Sequence, residues 1–302
     1  LLGQIESPAP GTLLEHGTEE QLARWLPAML SADDIWCQGF SEPGAGSDLA
    51  ALSTRAERDG DAYVVTGQKV WTSNAHRADR CFLLCRTDPE AEGKHQGMTV
   101  LVVDMHAPGV ECRPIREMAG DANFDEVFLE GVRVPVDDRV GGAGAGWKVA
   151  MSTLTHERVG TVTYGIQLRQ RLEALMQRPE LWPTDDLARR VLDQELARVA
   201  TDIEVIRLIA LRAVTKASRG EPPWPEVSLG KLLWSTASQD LAALAMSAMG
   251  ADGLRLRGDA RAADDGRWSH DELFMRMTTI GAGTTEVQKN ILAERALGLP
   301  RG

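Results

Sequence analysis

Four stretches of this 302-residue chain carry residue types and spacings suited to chemistry. Thr279-Ile280-Gly281-Ala282-Gly283-Thr284-Thr285-Glu286-Val287-Gln288 is a glycine-rich turn that opens a helix. Thr285 with Gln288 three residues later fits a capping box, and Gly298 with Pro300 marks the helix end. N–H groups and the helix macrodipole point outward at such a start, so the turn is either an anion site or an ordinary helix cap. Phe40-Ser41-Glu42-Pro43-Gly44-Ala45-Gly46-Ser47-Asp48 joins glycines that free the backbone for close approach to the hydroxyls of Ser41 and Ser47; a tight turn would look the same. In Gly67-Gln68-Lys69-Val70-Trp71-Thr72-Ser73-Asn74, a tryptophan followed by hydroxyls can shield a planar ring and hydrogen-bond its edge, or can be a core residue. Finally, Leu154-Thr155-His156-Glu157-Arg158 sets Glu157 on one helical face with Thr153, Gly160, Thr161 and Tyr164. A mid-helix glycine costs roughly 0.5–1 kcal/mol relative to alanine, so Gly160 points to close packing along a small, polar stripe. A solvated glutamate beside an arginine is the alternative.

The elements that must hold these stretches follow from pattern and punctuation. Thr18 is a helix N-cap for Glu19–Leu26, and residues 1–32 read as the end of an N-terminal helical domain. The chain opens on Leu1, not Met, which suggests that an N-terminal part is missing. From 33 to 140 the period is two, with Asp59-Gly60 as a hairpin turn between Leu52–Arg58 and Ala62–Thr66. Further strands are expected at Gln68–Thr72, Cys81–Arg86, Met98–Asp104, Val110–Arg113 and Asp125–Leu129, which together suit a compact antiparallel barrel or sandwich, and an antiparallel β-barrel domain is the expectation. The run Gly141–Gly146 lacks the Lys-Ser/Thr ending of a phosphate loop and reads as a flexible joint. Residues 141–302 read as a C-terminal helical bundle. Its helices are Trp147–Arg178, a second from Asp185 with Thr184 as cap, Val227–Met249, a turn at Asp271–Met277, and the closing helix. The fold class is α+β.

Charge narrows the partners. With 44 acidic and 33 basic side chains the net charge is −11, which argues against a nucleic-acid or anionic-membrane surface as the main partner. Cys37, Cys81, Cys85 and Cys112 are spaced as neither a zinc site nor a redox pair, and read as buried thiols. No apolar run approaches the ~18 residues of a membrane span. A cytoplasmic protein is expected.

Taken together, the quoted motifs resemble the acyl-CoA dehydrogenase family. The likeness runs from Glu15–Gln21 to Leu299-Pro300, and includes Ser-Glu-Pro-Gly-Ala-Gly-Ser-Asp, Gly-Gln-Lys-Val-Trp-Thr-Ser, Phe124–Leu129 and Gly-Thr-Thr-Glu-Val-Gln in the family's order. It implies a helical N-terminal domain, a middle β-domain and a C-terminal four-helix bundle, with FAD between the last two and partly across a subunit interface. Phe40 and Ser41 would meet the flavin ring, Trp71 and Ser73 its other edge, and the Gly283-Thr284 turn would receive the FAD pyrophosphate, with Glu286 also in the FAD site. Ser47 would lie near FAD and the acyl-CoA, with Ala282 and Arg158 also on the substrate side. The reaction implied is oxidation of an acyl-CoA thioester to its trans-2-enoyl form. A carboxylate takes the α-proton, the β-hydrogen leaves as hydride to the flavin, and electrons then pass to an electron-transferring flavoprotein.

Departures from the family pattern set further expectations. Ala282 stands where most members carry the catalytic glutamate. In the isovaleryl and long-chain types the base is on the long bundle helix, and the matching residue is Glu157. The Arg-Lys-x-Phe-Gly segment is replaced near Arg178-Pro179-Glu180-Leu181-Trp182-Pro183, and Gln-x-x-Gly-Gly-x-Gly survives only as Ser247–Gly253. A dimer or tetramer is expected, with the alternatives of a half-site partner in a complex of unlike subunits or a flavin-dependent oxidase or monooxygenase.

Overall fold

The computed structural model describes residues 9–159 and 161–300, the side chains of 157–162 excepted. The chain divides into two compact units, Leu1–Glu157 and Arg158–Gly302.

The first unit opens with helices α1 (Ala9–His16) and α2 (Glu19–Ser31). Thr18 caps α2 in the full reciprocal box, its hydroxyl accepting from Gln21 N while Gln21 Oε1 accepts from Thr18 N. The Gln21 amide also donates to the carbonyls of Asp137 and Arg139, and Arg24 pairs with Asp138 at 2.7 Å, which ties α2 to the end of the sheet.

Eight strands follow: β1 Trp36–Gly39, β2 Arg55–Asp59, β3 Ala62–Ser73, β4 Arg80–Arg86, β5 Met98–Asp104, β6 Val110–Ile115, β7 Phe124–Pro135 and β8 Arg139–Val140. Their order is β6-β7-β3-β2-β4-β5-β8, with β1 beside β4. The expected closed antiparallel barrel is corrected on two points. The ladder is open at β6 and β8, and β1 and β2 pair with β4 in parallel. The sheet still has two packed faces. Phe82, Leu84, Met98, Val100 and Val102 face the cluster containing Leu13, Trp25 and Val149, whereas Cys81, Leu83, Cys85, Leu101 and Val103 meet Val65, Val127 and Val132. Burial on both faces is why β4 and β5 read as continuous apolar runs.

The hairpin at Asp59-Gly60 forms as expected, with Gly60 at φ +63°. The predicted break before Gln68 does not occur, because β3 runs through it with a register shift at Gly67. A Cβ there would stand 2.7 Å from Thr54 Cα, so only glycine lets β3 approach the residue that leads into β2. Gly146 is no slack joint either. It begins α3 (Gly146–Val159), and a Cβ on it would meet the Met98–Thr99 backbone at 2.6 Å.

In the second unit, α4 (Thr161–Met176), α5 (Asp186–Ser218) and α6 (Trp224–Met249) form a helical bundle around Leu168, Leu172, Leu196, Val199, Ile203, Leu241, Ala245 and Trp268. Asp185, not Thr184, caps α5, accepting from Leu187 N and Ala188 N. Its carboxylate brings a full negative charge to the helix start, which the Thr184 hydroxyl does not carry. Helix α7 (Arg267–Phe274), a tight turn at Met275–Thr279 and α8 (Thr285–Ile291) complete the unit against α6. The cap of α8 is Thr284, one residue before the predicted Thr285, with its hydroxyl accepting from Val287 N at 3.2 Å.

Candidate functional site

In the first unit the loop after β1 is anchored from beneath. Lys69 on β3 is fully buried, and its ammonium donates to Glu42 Oε1 at 2.8 Å and to the Phe40 carbonyl at 3.0 Å. The Glu42 carboxylate also accepts from Ser53 N, Ser53 Oγ and Thr54 N at 2.6, 2.7 and 2.9 Å. Burial pushes the Glu42 carboxyl up, but the charge and hydrogen bonds of Lys69, with those of Thr54 and Ser53, outweigh it and hold it at about 2. Burial likewise lowers Lys69 against the pull of Glu42. A buried ion is tolerated only when paired and hydrogen-bonded, and here both conditions are met. Above the anchor, Gly44 and Gly46 have open space where a Cβ would be, and Ser47 is exposed.

The next residue pair carries the anchor to the tryptophan. Val70 N donates to the Ser41 carbonyl at 3.0 Å. Trp71 then takes a left-handed backbone, φ +58°, within a bulge between Lys69 and Thr72. That conformation costs a non-glycine residue roughly 1–2 kcal/mol, and it turns the indole outward, 59% exposed, with its edge against Phe124. Beyond it Ser73 is exposed. The turn that follows is stapled to β7, because buried Asp125 accepts from His76 N at 3.2 Å and pairs with His76 Nδ1 at 2.9 Å. Phe40, Ser41, Trp71 and Ser73, about thirty residues apart in sequence, are thus brought together by β1 and β3.

In the second unit the turn before α8 has its own anchor. Lys231 on α6, 2% exposed, donates to the carbonyls of Thr278 and Gly283 at 2.9 and 2.7 Å, and Ser235 Oγ donates to Thr278 O at 2.8 Å. Buried Gln288 donates to the Ala282 carbonyl at 3.0 Å. These inward carbonyls bend the chain through two left-handed residues, Ala282 at φ +53° and Gly283 at φ +85°. Glu286 is exposed, and hydrogen bonds from its own N–H and from Thr284 lower its carboxyl.

Glu157 lies near the end of α3, but its side chain and that of Arg158 are outside the described residues, as is residue 160. The helix leading to it is held by α1: Thr153 is buried and meets Thr12 Oγ1 at 3.1 Å, while His156 pairs with Glu15 at 3.4 Å. Sequence reasoning missed Glu42, Lys69, Lys231 and Gln288 as anchors. Lys69 shares the inward phase of β3 with Val65, which was a usable signal.

Residues 37–132 match the family model described as acyl-CoA dehydrogenase, middle domain, and residues 144–297 the model described as acyl-CoA dehydrogenase, C-terminal domain. The chain belongs to the acyl-CoA dehydrogenase family. It is 41% identical to acyl-CoA dehydrogenase IpdE1 of Mycobacterium tuberculosis over 96% of its own length and 73% of that protein's. Among solved structures it is similar to the Tcur3481-Tcur3483 steroid ACAD, with a TM-score of 0.90, 33% identity, and coverage of 98% of this chain and 76% of the other. It is also similar to a chain of the ChsE4-ChsE5 complex from Mycobacterium tuberculosis, at TM-score 0.86 and 35% identity over 97% and 76% of the two chains. Acyl-CoA dehydrogenases are flavoprotein oxidoreductases. Among the described residues, no helix is long and apolar enough to cross a membrane.

The residues present fit a flavin. An outward indole in a strained bulge and an open glycine loop with an exposed serine offer one planar face and a polar edge, and the two are joined by the Lys69 anchor.

Proposed function

We propose that this chain is an FAD-dependent acyl-CoA dehydrogenase that forms a trans-2-enoyl-CoA from an acyl-CoA, with Glu157 as base. When bound, FAD supplies the two-electron acceptor for the β-hydrogen, and an electron-transferring flavoprotein reoxidises it. Phe40, Ser41, Trp71 and Ser73 hold the ring; Ser47 serves both FAD and the thioester; the Gly283-Thr284 turn receives the pyrophosphate, and Glu286 belongs to the FAD site. Ala282 has only a methyl group where most members have the carboxylate, so its role toward the substrate is confined to its backbone N–H. An α-C–H is a weak acid, and a carboxylate removes it best when its pKa is raised toward neutrality while the carbonyl is polarised.

The observation that carries this reading is the junction of the Phe40–Ser41 and Trp71–Ser73 edges in a chain of this family that lacks the tail glutamate. The test is anaerobic titration of the FAD-loaded protein with a panel of acyl-CoAs, including polycyclic acyl groups because one similar structure is titled a steroid ACAD. Wild type should bleach the flavin, and Glu157→Gln should lose at least ~10³-fold in rate while retaining flavin. Undiminished turnover by the variant would remove Glu157 from the role. Dioxygen consumption without bleaching by any acyl-CoA would favour an oxidase.

A heteromeric enzyme is the second reading. Arg178, in the segment that replaces the family's cross-subunit motif, is engaged by Glu180 and Asp264 of its own chain, and Arg189 lies over Trp182 at 4.2 Å. With those groups occupied internally, an unlike subunit would complete the FAD site. Stoichiometric FAD in the isolated chain would argue against it.

A further inference from the structure

The Lys69–Glu42 pair is buried more completely than stability alone explains. Replacing a buried ion pair with apolar residues of similar volume is often neutral or favourable, so such a pair is weak evidence for stability. Its product here is geometric. Lys69 Nζ fixes the Phe40 carbonyl at 3.0 Å, and Glu42 ties the loop to Ser53 and Thr54. The next backbone group along β3, Val70 N–H, fixes the Ser41 carbonyl, and the residue after that is Trp71 in its left-handed bulge. The loop cannot shift without moving Lys69 or leaving a buried charge without its partner. The bulge begins directly after the two residues that grip the loop. Two surface edges distant in sequence therefore have a spacing determined by one buried side-chain pair.

We propose that Lys69 and Glu42 are positioning residues that set the separation between the Phe40–Ser41 edge and the Trp71–Ser73 edge, and thereby the fit of a planar flavin ring. The ring as occupant rests on the functional reading above; the spacing itself does not. Neither side chain touches the ring. Their effect passes through the Phe40 carbonyl and the β3 backbone.

The test uses the full chain as Glu42→Gln, Lys69→Met and the double variant, with Ser53→Ala as a control that removes one hydroxyl donor and leaves the ion pair. Hydrogen exchange without FAD is measured first. In both single variants, exchange should rise at least tenfold in residues 40–48 and 69–74, with β5 and the helices of the second unit unchanged. The double variant should recover most of the thermal stability of wild type while keeping the fast exchange. FAD titration by flavin fluorescence should then show at least tenfold weaker binding in the double variant, with poorer resolution of the visible absorption band, and near-wild-type values for Ser53→Ala. A double variant with wild-type exchange in both segments and wild-type FAD affinity would overturn the proposal. So would exchange that rises uniformly through the sheet, because the pair would then be a general stabiliser. If Lys69→Met does not fold, the isosteric Glu42→Gln carries both measurements. Should wild type bind no FAD, the functional reading fails, while the exchange data still decide whether the pair sets the spacing.

Discussion

Lys69 and Lys231 are both buried, one in each unit, and each holds by its ammonium a loop that the sequence marks as chemical. Lys69 meets a carboxylate and one carbonyl; Lys231 donates to two main-chain carbonyls, with Glu286 within its electrostatic reach. A charge matched by a charge is strong and directional, but it depends on both groups staying ionised. A charge matched by carbonyl dipoles depends on the shape of the turn. Where Lys69 works, Trp71 leaves strand geometry inside β3 and Asn74 turns left-handed just beyond it; where Lys231 works, the adjacent Ala282 and Gly283 are both left-handed. The difference shows two ways of making a loop rigid. One uses ionisation and the other uses backbone conformation.

Five measurements sharpen or break that contrast. The largest effect is expected from Lys69→Met, which strands the Glu42 carboxylate; loss of one member of a buried pair costs about 3–5 kcal/mol, read from urea unfolding. An equal loss from Lys231→Met would erase the distinction. Acid comes next. Glu42 is held at about 2, below the usual 4.5, so its contribution is present above about pH 4.5 and disappears as pH falls through 2. That difference corresponds to roughly 3 kcal/mol. Hydrogen exchange in residues 40–48 should accelerate over this range well before residues 279–284, and simultaneous loosening would count against the assignment.

Lys231→Met follows, at about 2 kcal/mol, because two carbonyls lose a charged donor while Ser235 still serves Thr278. The smallest effect belongs to Ala282→Gly. Relief of the left-handed alanine should stabilise the chain by about 1 kcal/mol, seen as a raised melting temperature. A destabilised variant would mean that the methyl makes contacts the turn needs. Gly283→Ala provides the opposite sign, since its Cβ would stand 2.7 Å from Gln288 Nε2.

Much of the local structure was legible. The Thr18 cap, the Asp59-Gly60 hairpin, the long strands and the principal helices follow from spacing and capping chemistry, which act over a few residues. Boundaries decided by tertiary pairing were not. β1 is four residues long and β8 two, too short for any periodic signal, and both exist because a neighbour pairs with them. The strand through Gly67 looked interrupted because a mid-strand glycine usually marks an end, whereas here it admits Thr54. The caps at Asp185 and Thr284 each lay one residue from the expected position, where two capping residues stood in a row.

Sequence alone determined the family and pointed to the candidate edges Phe40–Ser41 and Trp71–Ser73, the turn at Gly281–Thr284 and Ala282, because these are questions of residue identity. Only the tertiary structure decided that the sheet stays open and that the two edges share one anchor. It also decided which charged residues go inside. Burial of Glu42 and Lys69 is settled by pairing between residues 27 positions apart. Each alone would be too costly to desolvate, so neither side chain's place is readable until the fold supplies its partner.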